Sequence, residues 1–206
     1  LIKEGKILFF DKKDEPDNIK KFLEQLALQN GRLLYETYEE KVGSIMVEKK
    51  KISGYVPNPN SPHFIVILDH IRKIKRPKGF SEKDAMDLMS TYFADIAREY
   101  MFTCVALVHL NREIGDLDLI KFLKDAIFPN EDFIKQSSNI GEDCTELITV
   151  FNAADPKMKL KSHFGMSLEN FHNNYRSIHL VLSRYSECPI HVQTEFDGLV
   201  GSFTQL

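Results

Sequence analysis

The stretch FIVILDH, residues 64–70, decides the predicted fold. Five apolar residues run without interruption into Asp69, and such a run is typical of a strand buried on both faces of a parallel sheet. Predicted strands and helices alternate along most of the chain, which favours parallel βαβ units with right-handed crossovers. Because open parallel sheets bind ligands outside the carboxyl ends of their strands, Asp69 is a candidate site residue.

The clearest predicted helix lies after this strand and begins at Ser81, with Asp84 three residues later as in a capping box. Its apolar stripe comprises Ala85, Leu88, Met89, Tyr92, Phe93, Ile96 and Tyr100. A second helix is predicted between Asp14 and Gly31, and a third over Leu117–Ala126. Further predicted strands are Lys6–Phe10, Arg32–Tyr38, Phe102–Val108, Glu146–Phe151, Ser177–Arg184, Ile190–Phe196 and Leu199–Phe203. Residues 39–62 are polar, rich in lysine and interrupted by proline, and indicate no element clearly.

Composition limits the class of protein. With 206 residues, 43% of them hydrophobic, the chain can bury one substantial core, so we expect a single α/β domain over residues 1–206. A formal charge of −3 does not favour a protein coated with basic residues. Three widely spaced cysteines predict buried thiols in a reducing compartment, not a disulfide framework. No apolar run reaches the roughly 18 to 20 residues of a membrane span, which predicts a cytoplasmic protein without a membrane partner.

Two strand ends could carry chemistry. Asp69 can hold Mg²⁺ beside nucleotide phosphates, or it can cap the next helix; Ser81 is the better helix start, because a proline and a glycine intervene. After the strand that begins near Phe102, the segment VHLNRE supplies His109, Asn111 and Arg112, which either sense a phosphate, position water or bind nucleic acid, or form an ordinary turn. The basic loop Arg72–Lys78 either lines a DNA path or partner surface, or is simply solvated.

These two strand ends and three segments nearer the C-terminus resemble the motor domain of the DnaB-type hexameric replicative helicases, a branch of the RecA-like ATPases. The matching segments, in the family's order, are the strand before Asp69, ALVHLNRE, IKQSSNIGEDCTELITVF, IHLVLSRYSECP and FDGLVGSFTQL. The resemblance implies a RecA-like three-layer α/β domain with a mostly parallel sheet and a C-terminal β-hairpin. It also implies an ATP-dependent DNA helicase that moves along single-stranded DNA as a homo-oligomer, in a hexameric ring. Primase or a helicase loader is the implied protein partner.

The resemblance gives each site residue a role. Asp69 corresponds to the Walker B carboxylate that places Mg²⁺, and His109 to the position that reports the γ-phosphate state. Arg184 corresponds to a basic residue that reaches the ATP of the neighbouring subunit. DNA contacts fall on Arg112, Lys135, Ser137, Ser138 and Asn139.

Three departures from the family pattern bear on catalysis. No phosphate-binding Gly-x-x-x-x-Gly-Lys-Ser/Thr loop is present, and we expect it upstream of Leu1 in a longer, phage-encoded protein of the host cytoplasm. Lys13 stands where the family has its catalytic glutamate, so Asp14 or Glu15 is the substitute base if the alignment shifts by one or two residues. Ser186 replaces a second basic residue near Arg184. A non-hydrolysing scaffold or DNA-binding subunit is therefore the alternative, and a recombinase or regulatory ATPase the third.

Overall fold

The computed structural model describes residues 7–8, 12–109, 127–129 and 139–206. The chain divides into two compact units, Leu1–Val108 and His109–Leu206. The elements of the first unit are α1 (Pro16–Asn30), β1 (Gly31–Val42), β2 (Ile45–Pro57), β3 (Ile65–Leu68), a short 3-10 helix (Ile71–Lys73), α2 (Glu82–Tyr100) and β4 (Thr103–Ala106). None of the helices within the described ranges is long and apolar enough to span a membrane.

Helices α1 and α2 form the core of the first unit. Pro16 begins α1, where its fixed backbone angle suits a first helical position, and Ser81 caps α2 in a reciprocal capping box with Asp84. Two polar contacts join the helices. The Tyr92 hydroxyl donates to Asp17 over 2.6 Å, and Lys20 of α1 pairs with Asp95 of α2 over 3.5 Å. The buried apolar residues of α1 and α2 are Leu23, Ala27, Ala85, Met86, Met89, Phe93, Ile96 and Tyr100. The predicted helices at both places are confirmed.

Strands β1 and β2 form a two-stranded antiparallel ribbon of 12 and 13 residues, which we call the β-ribbon. Gly43, with φ of +66°, and Ser44 make the turn between them. From Leu34 to Ser53 the ribbon is exposed, and its base is fixed by the buried ring of Tyr55. The prediction of a strand over Arg32–Tyr38 is confirmed, while the unassigned segment after it completes the ribbon.

Strands β3 and β4 form a parallel pair, in register from Ile65 with Thr103 to Leu68 with Ala106. Both strands lie where the sequence predicts them. The expectation that β3 is buried on both faces is wrong, because Ile65 and Ile67 are each 65% exposed. Only one face of the pair is packed in this unit.

The second unit is built on an antiparallel sheet. Its elements are α3 (Asn139–Asp143), β5 (Glu146–Phe151), β6 (Ser162–His163), β7 (Met166–Ser167), β8 (Tyr175–Ser183), β9 (Ile190–Asp197) and β10 (Ser202–Gln205). The strand order is β10-β9-β8-β5, and every neighbouring pair is antiparallel. The core on one face comprises Ile127, Phe151, Ala153, Met158, Leu168 and Tyr175. The β9–β10 hairpin lies where Asp197 and Gly198 predict a tight turn.

The predicted RecA-like three-layer fold with a mostly parallel sheet is wrong. Among the described residues, β3–β4 is the only parallel pair, and the other pairs are antiparallel in small sheets. The physical reason is connectivity: β1 and β2 join through a two-residue turn, and β9 and β10 through a short one, and short turns produce antiparallel pairs. The predicted strand Lys6–Phe10, in part, and the predicted helix Leu117–Ala126 lie outside the described residues.

Candidate functional site

Asp69 lies directly beyond the carboxyl end of β3 and is exposed. The backbone of the parallel pair continues past the strands: Leu107 N–H donates to the Leu68 carbonyl over 3.0 Å, and Ile71 N–H donates to the Leu107 carbonyl over 3.0 Å. These bonds hold the chain on both sides of Asp69 at the edge of the pair. The aspartate carboxylate is therefore held on an ordered backbone and remains accessible to a ligand.

The turn after Asp69 depends on His70, whose backbone has φ of +73° and ψ of +87°. Positive φ is uncommon for a residue that carries a Cβ. The turn brings Ile71, which is fully buried, into the core directly after two more accessible residues. Local backbone conformation at His70 thus separates the exposed carboxylate of Asp69 from the packed interior.

The basic loop Arg72–Lys78 is partly neutralised within the unit. Arg72 is paired with Glu82, and Lys75 with Glu15 over 2.8 Å. The remaining cations, Lys73, Arg76 and Lys78, are exposed and make no ion pair with the described part of the chain. Sequence reasoning could not separate these two groups, because the acids that pair are 10 and about 60 positions away.

Asp14 lies beside the same loop. Its carbonyl accepts a hydrogen bond from Lys75 N–H over 2.9 Å, so the structure brings Asp14 close to the segment after Asp69. Its carboxylate accepts hydrogen bonds from the Asn18 side chain (2.6 Å) and from Glu15 N–H (2.8 Å). The Asn18 hydrogen bond, then the backbone one, lowers the pKa of Asp14. A carboxylate with a lowered pKa is a weaker base.

His109 and Arg184 also lie after strands. His109 comes three residues after β4 and is exposed. Arg184 comes directly after β8; its N–H donates to the Thr145 carbonyl over 3.0 Å, and its guanidinium donates to the Glu142 carbonyl. Arg184 is exposed, and one carbonyl occupies only part of its five-donor guanidinium.

The predicted DNA-contact residues are mostly outside the described ranges. Arg112, Lys135, Ser137 and Ser138 all lie there, and Asn139 is the first residue of α3. They stay predictions.

All three cysteines lie in the described part of the chain as free thiols. Burial raises the pKa of the Cys104 thiol to about 12, so its thiolate is scarce at neutral pH. Cys104 and Cys144 are half-buried, but Cys188 is exposed, and its predicted burial is wrong. Within the described residues, no group of three or more His, Cys, Asp or Glu is placed to hold a metal ion.

The fold of this chain is similar to that of solved structures. The chain is similar to a DnaB-like replicative helicase, a protein described together with its interactions with primase, with a TM-score of 0.62 and 15% sequence identity. The match covers 96% of this chain and 37% of that one. In all, 17 chains of solved structures match.

This is a likeness of fold. It supports a distant structural relationship to DnaB-like helicases, and this chain spans little more than a third of the length of its structural neighbour. No protein-family model matches the sequence, and no curated protein matches it either.

Proposed function

We propose that this chain is part of a DNA helicase motor that hydrolyses ATP to move along single-stranded DNA during replication. The observation that carries the proposal is the exposed carboxylate of Asp69 at the carboxyl end of β3, in the parallel β3–β4 pair, within a chain whose fold is similar to that of a DnaB-like helicase. Carboxyl ends of parallel strands are the usual ligand side of such pairs.

The donor chemistry at Asp69 suits a magnesium–nucleotide complex. Mg²⁺ keeps several waters and binds through one or two carboxylates together with substrate phosphates. A single exposed carboxylate without a surrounding ligand cluster among the described residues fits this requirement, and it does not fit a metal held by protein ligands alone. Asp69 would orient the metal directly or through water, where Mg²⁺ neutralises charge on the transferring phosphoryl group.

Single-stranded DNA would contact the unpaired cations of the basic loop. Lys73, Arg76 and Lys78 are exposed and come within nine residues after Asp69. Cations of this kind bind phosphates by releasing counterions and read no sequence. Contacts from Arg112, Lys135, Ser137, Ser138 and Asn139 remain part of the same proposal.

In an oligomeric ring, Arg184 would act across a subunit boundary. Its guanidinium has donors beyond the one that Glu142 accepts, so it could bind a phosphoryl group without leaving its place after β8. His109, which lies three residues after β4, would respond to the presence of the γ-phosphate. A hexameric ring and a primase or loader partner complete the proposal.

A non-hydrolysing DNA-binding subunit is the second candidate, and Asp14 favours it. The best substitute for the missing catalytic glutamate is already hydrogen-bonded by Asn18 and Glu15, and its pKa is lowered. Lys13, beside it, cannot accept a proton in its charged form. Under this candidate the ring binds single-stranded DNA without turning over ATP.

DNA-stimulated ATP hydrolysis by the intact gene product separates the two candidates. We expect Asp69→Asn to lower the rate about 100-fold while single-stranded DNA binding persists. Glu169→Gln removes one exposed carboxylate elsewhere and should leave the rate unchanged. If the native protein binds DNA but hydrolyses no ATP, the scaffold is supported; equal rates for Asp69→Asn and native protein would exclude Asp69 from an ATP site.

A further inference from the structure

The exposed part of the β-ribbon has two unlike faces. Side chains alternate along each strand, and directly opposed residues share a face. One face, which we call the Lys49 face, carries Glu36, Tyr38, Glu40, Val42, Ile45, Val47, Lys49 and Lys51. The other, the Lys50 face, carries Tyr35, Thr37, Glu39, Lys41, Met46, Glu48, Lys50 and Ile52.

The Lys49 face neutralises its own charge. Lys49 pairs with Glu40 over 2.7 Å, and Lys51 pairs with Glu36 over 2.7 Å. The Lys51 ammonium also lies 5.7 Å from the centre of the Tyr38 ring. Every charged side chain of this face therefore has an opposite charge within the ribbon.

The Lys50 face is not neutralised in this way. Glu39 lies directly opposite Glu48, and two like charges in that position repel. Neither acid, nor Lys41 or Lys50, forms an ion pair with the residues that the structure describes. The apolar residues of the face are exposed too, with Tyr35 at 60% and Met46 at 55%.

The residues of the Lys50 face form four rows across the ribbon, and their order makes the face complementary to itself. From base to tip the rows are Tyr35 with Ile52, Thr37 with Lys50, Glu39 with Glu48, and Lys41 with Met46. Consider a two-fold axis that lies in the interface, runs parallel to the rows and passes between the second and third rows. It places the first row of one copy over the fourth row of the other copy, and the second row over the third.

That operation sets each strand over its own counterpart, so the facing residues can be assigned. Lys50 meets Glu48 of the second copy, and the Thr37 hydroxyl meets the Glu39 carboxylate. At the outer rows Ile52 packs against Met46, and the Lys41 ammonium makes a cation–π contact with the Tyr35 ring. All four pairs are favourable, each occurs twice, and the repulsion between the opposed glutamates is relieved.

We propose that the β-ribbons of two copies of this chain pack antiparallel through their Lys50 faces, as an isologous contact. Rows repeat about every 6.8 Å along a strand, so four rows cover roughly 300 to 400 Å² on each copy. A stable interface needs about 800 Å² per partner. The contact is weak by itself, with a dissociation constant on the order of 100 µM, and adds to any other association of the protein.

Sedimentation equilibrium of the full chain, with far-UV circular dichroism as a check on folding, tests the contact. Lys50→Glu sets acids against Glu48 of the second copy, and Glu48→Lys sets cations against Lys50; each should weaken association about 10-fold or more. An equimolar mixture of the two variants should regain native association, because every repelling pair becomes attractive. Lys49→Glu makes the same charge change on the opposite face and should keep native association.

Association of the native protein should also weaken as the salt concentration is raised from about 0.05 to 0.5 M, because salt screens the ion pairs. The proposal is overturned if the native chain is monomeric at about 1 mM, roughly ten times the expected dissociation constant. It is also overturned if the single variants associate like native protein, or if their mixture stays as weak as either alone. Rescue by mixing cannot arise from a general loss of stability, so a folding defect would not imitate the expected result.

Discussion

The Tyr55 hydroxyl donates a buried hydrogen bond to the Ala27 carbonyl over 2.9 Å and so fixes the base of the β-ribbon to the last turn of α1. Last-turn carbonyls have no partner within their helix, and Tyr55 supplies one. The Tyr55 ring also meets Tyr100 of α2 edge-on, with ring centres 5.6 Å apart. One side chain thus joins the ribbon to both helices.

The Tyr55 ring packs so close to Gly31 that no side chain fits at position 31. A Cβ on Gly31 would lie 2.3 Å from the Tyr55 ring, so Gly31→Ala should lower the free energy of unfolding by about 1 to 3 kcal/mol. At Gly54 the nearest atom to an added Cβ is 3.8 Å away, and Gly54→Ala should be within about 0.5 kcal/mol of native. Urea unfolding measures both. Equal effects at the two glycines would contradict this packing.

The capping box of α2 gives a second stability prediction. Ser81→Ala removes the side chain that accepts from Asp84 N–H, and it should cost about 1 kcal/mol. Ser44→Ala in the exposed ribbon turn is the control and should cost little. Hydrogen bonds from the Ser81 side chain and backbone lower the pKa of Asp84, so the carboxylate's contribution is present above pH 3.8 and is lost as pH falls through its lower folded pKa. The difference in unfolding free energy between Ser81→Ala and native protein should therefore become smaller at acid pH.

Buried His179 predicts a pH dependence of the second unit. It is fully buried against Phe128, Phe164, His163 and His191, and burial, with the two neighbouring histidines, lowers its pKa to about 4. The unfolded chain takes up this proton near pH 6.5, so stability is complete above that pH and falls between pH 6.5 and about 4.

The loss attributable to His179 is about 3 kcal/mol at most. His179→Leu should flatten the dependence of unfolding free energy on pH in this window, whatever its effect on stability at higher pH. Exposed His172→Asn is the matched control and should keep the native slope. An unchanged slope in His179→Leu would show that other groups titrate instead.

Arg184 yields a prediction that depends on the proposed function. Arg184→Ala in the intact protein should reduce DNA-stimulated ATP turnover about 1,000-fold with nucleotide affinity largely kept, because the guanidinium stabilises charge in the transition state. Arg98→Ala removes an exposed arginine of α2 and should leave turnover unchanged. Steady-state rates and nucleotide titrations distinguish the outcomes; loss of binding alone would reject the role.

Local signals predicted the elements that depend on near neighbours. Ser81 and Asp84 predicted the start of α2, and the apolar run before Asp69 predicted β3. The far half of the β-ribbon escaped prediction because its polar residues hide the strand pattern. Lys49 and Glu40 face each other only after the ribbon closes, and their ion pair makes polar residues acceptable there.

The candidate site was predictable only as a set of positions. Asp69 lies after a strand in the structure as in the sequence, but the other strand pairs among the described residues are antiparallel and depart from the predicted parallel pattern. The hydrogen bonds that occupy Asp14, and the acids that neutralise part of the basic loop, come from residues brought close by folding.

The sequence by itself determined the starts of α1 and α2, the strand before Asp69 and the C-terminal hairpin, because caps, turns and apolar periodicity act over a few residues. Tertiary structure alone decided which strands pair, which cations of the loop at Arg72–Lys78 remain unpaired within the described part of the chain, and which face of the β-ribbon keeps its charges without ion-pair partners there. Those properties depend on contacts between residues distant in the chain, and the free energy of such contacts is fixed only when the packed backbone sets their distances.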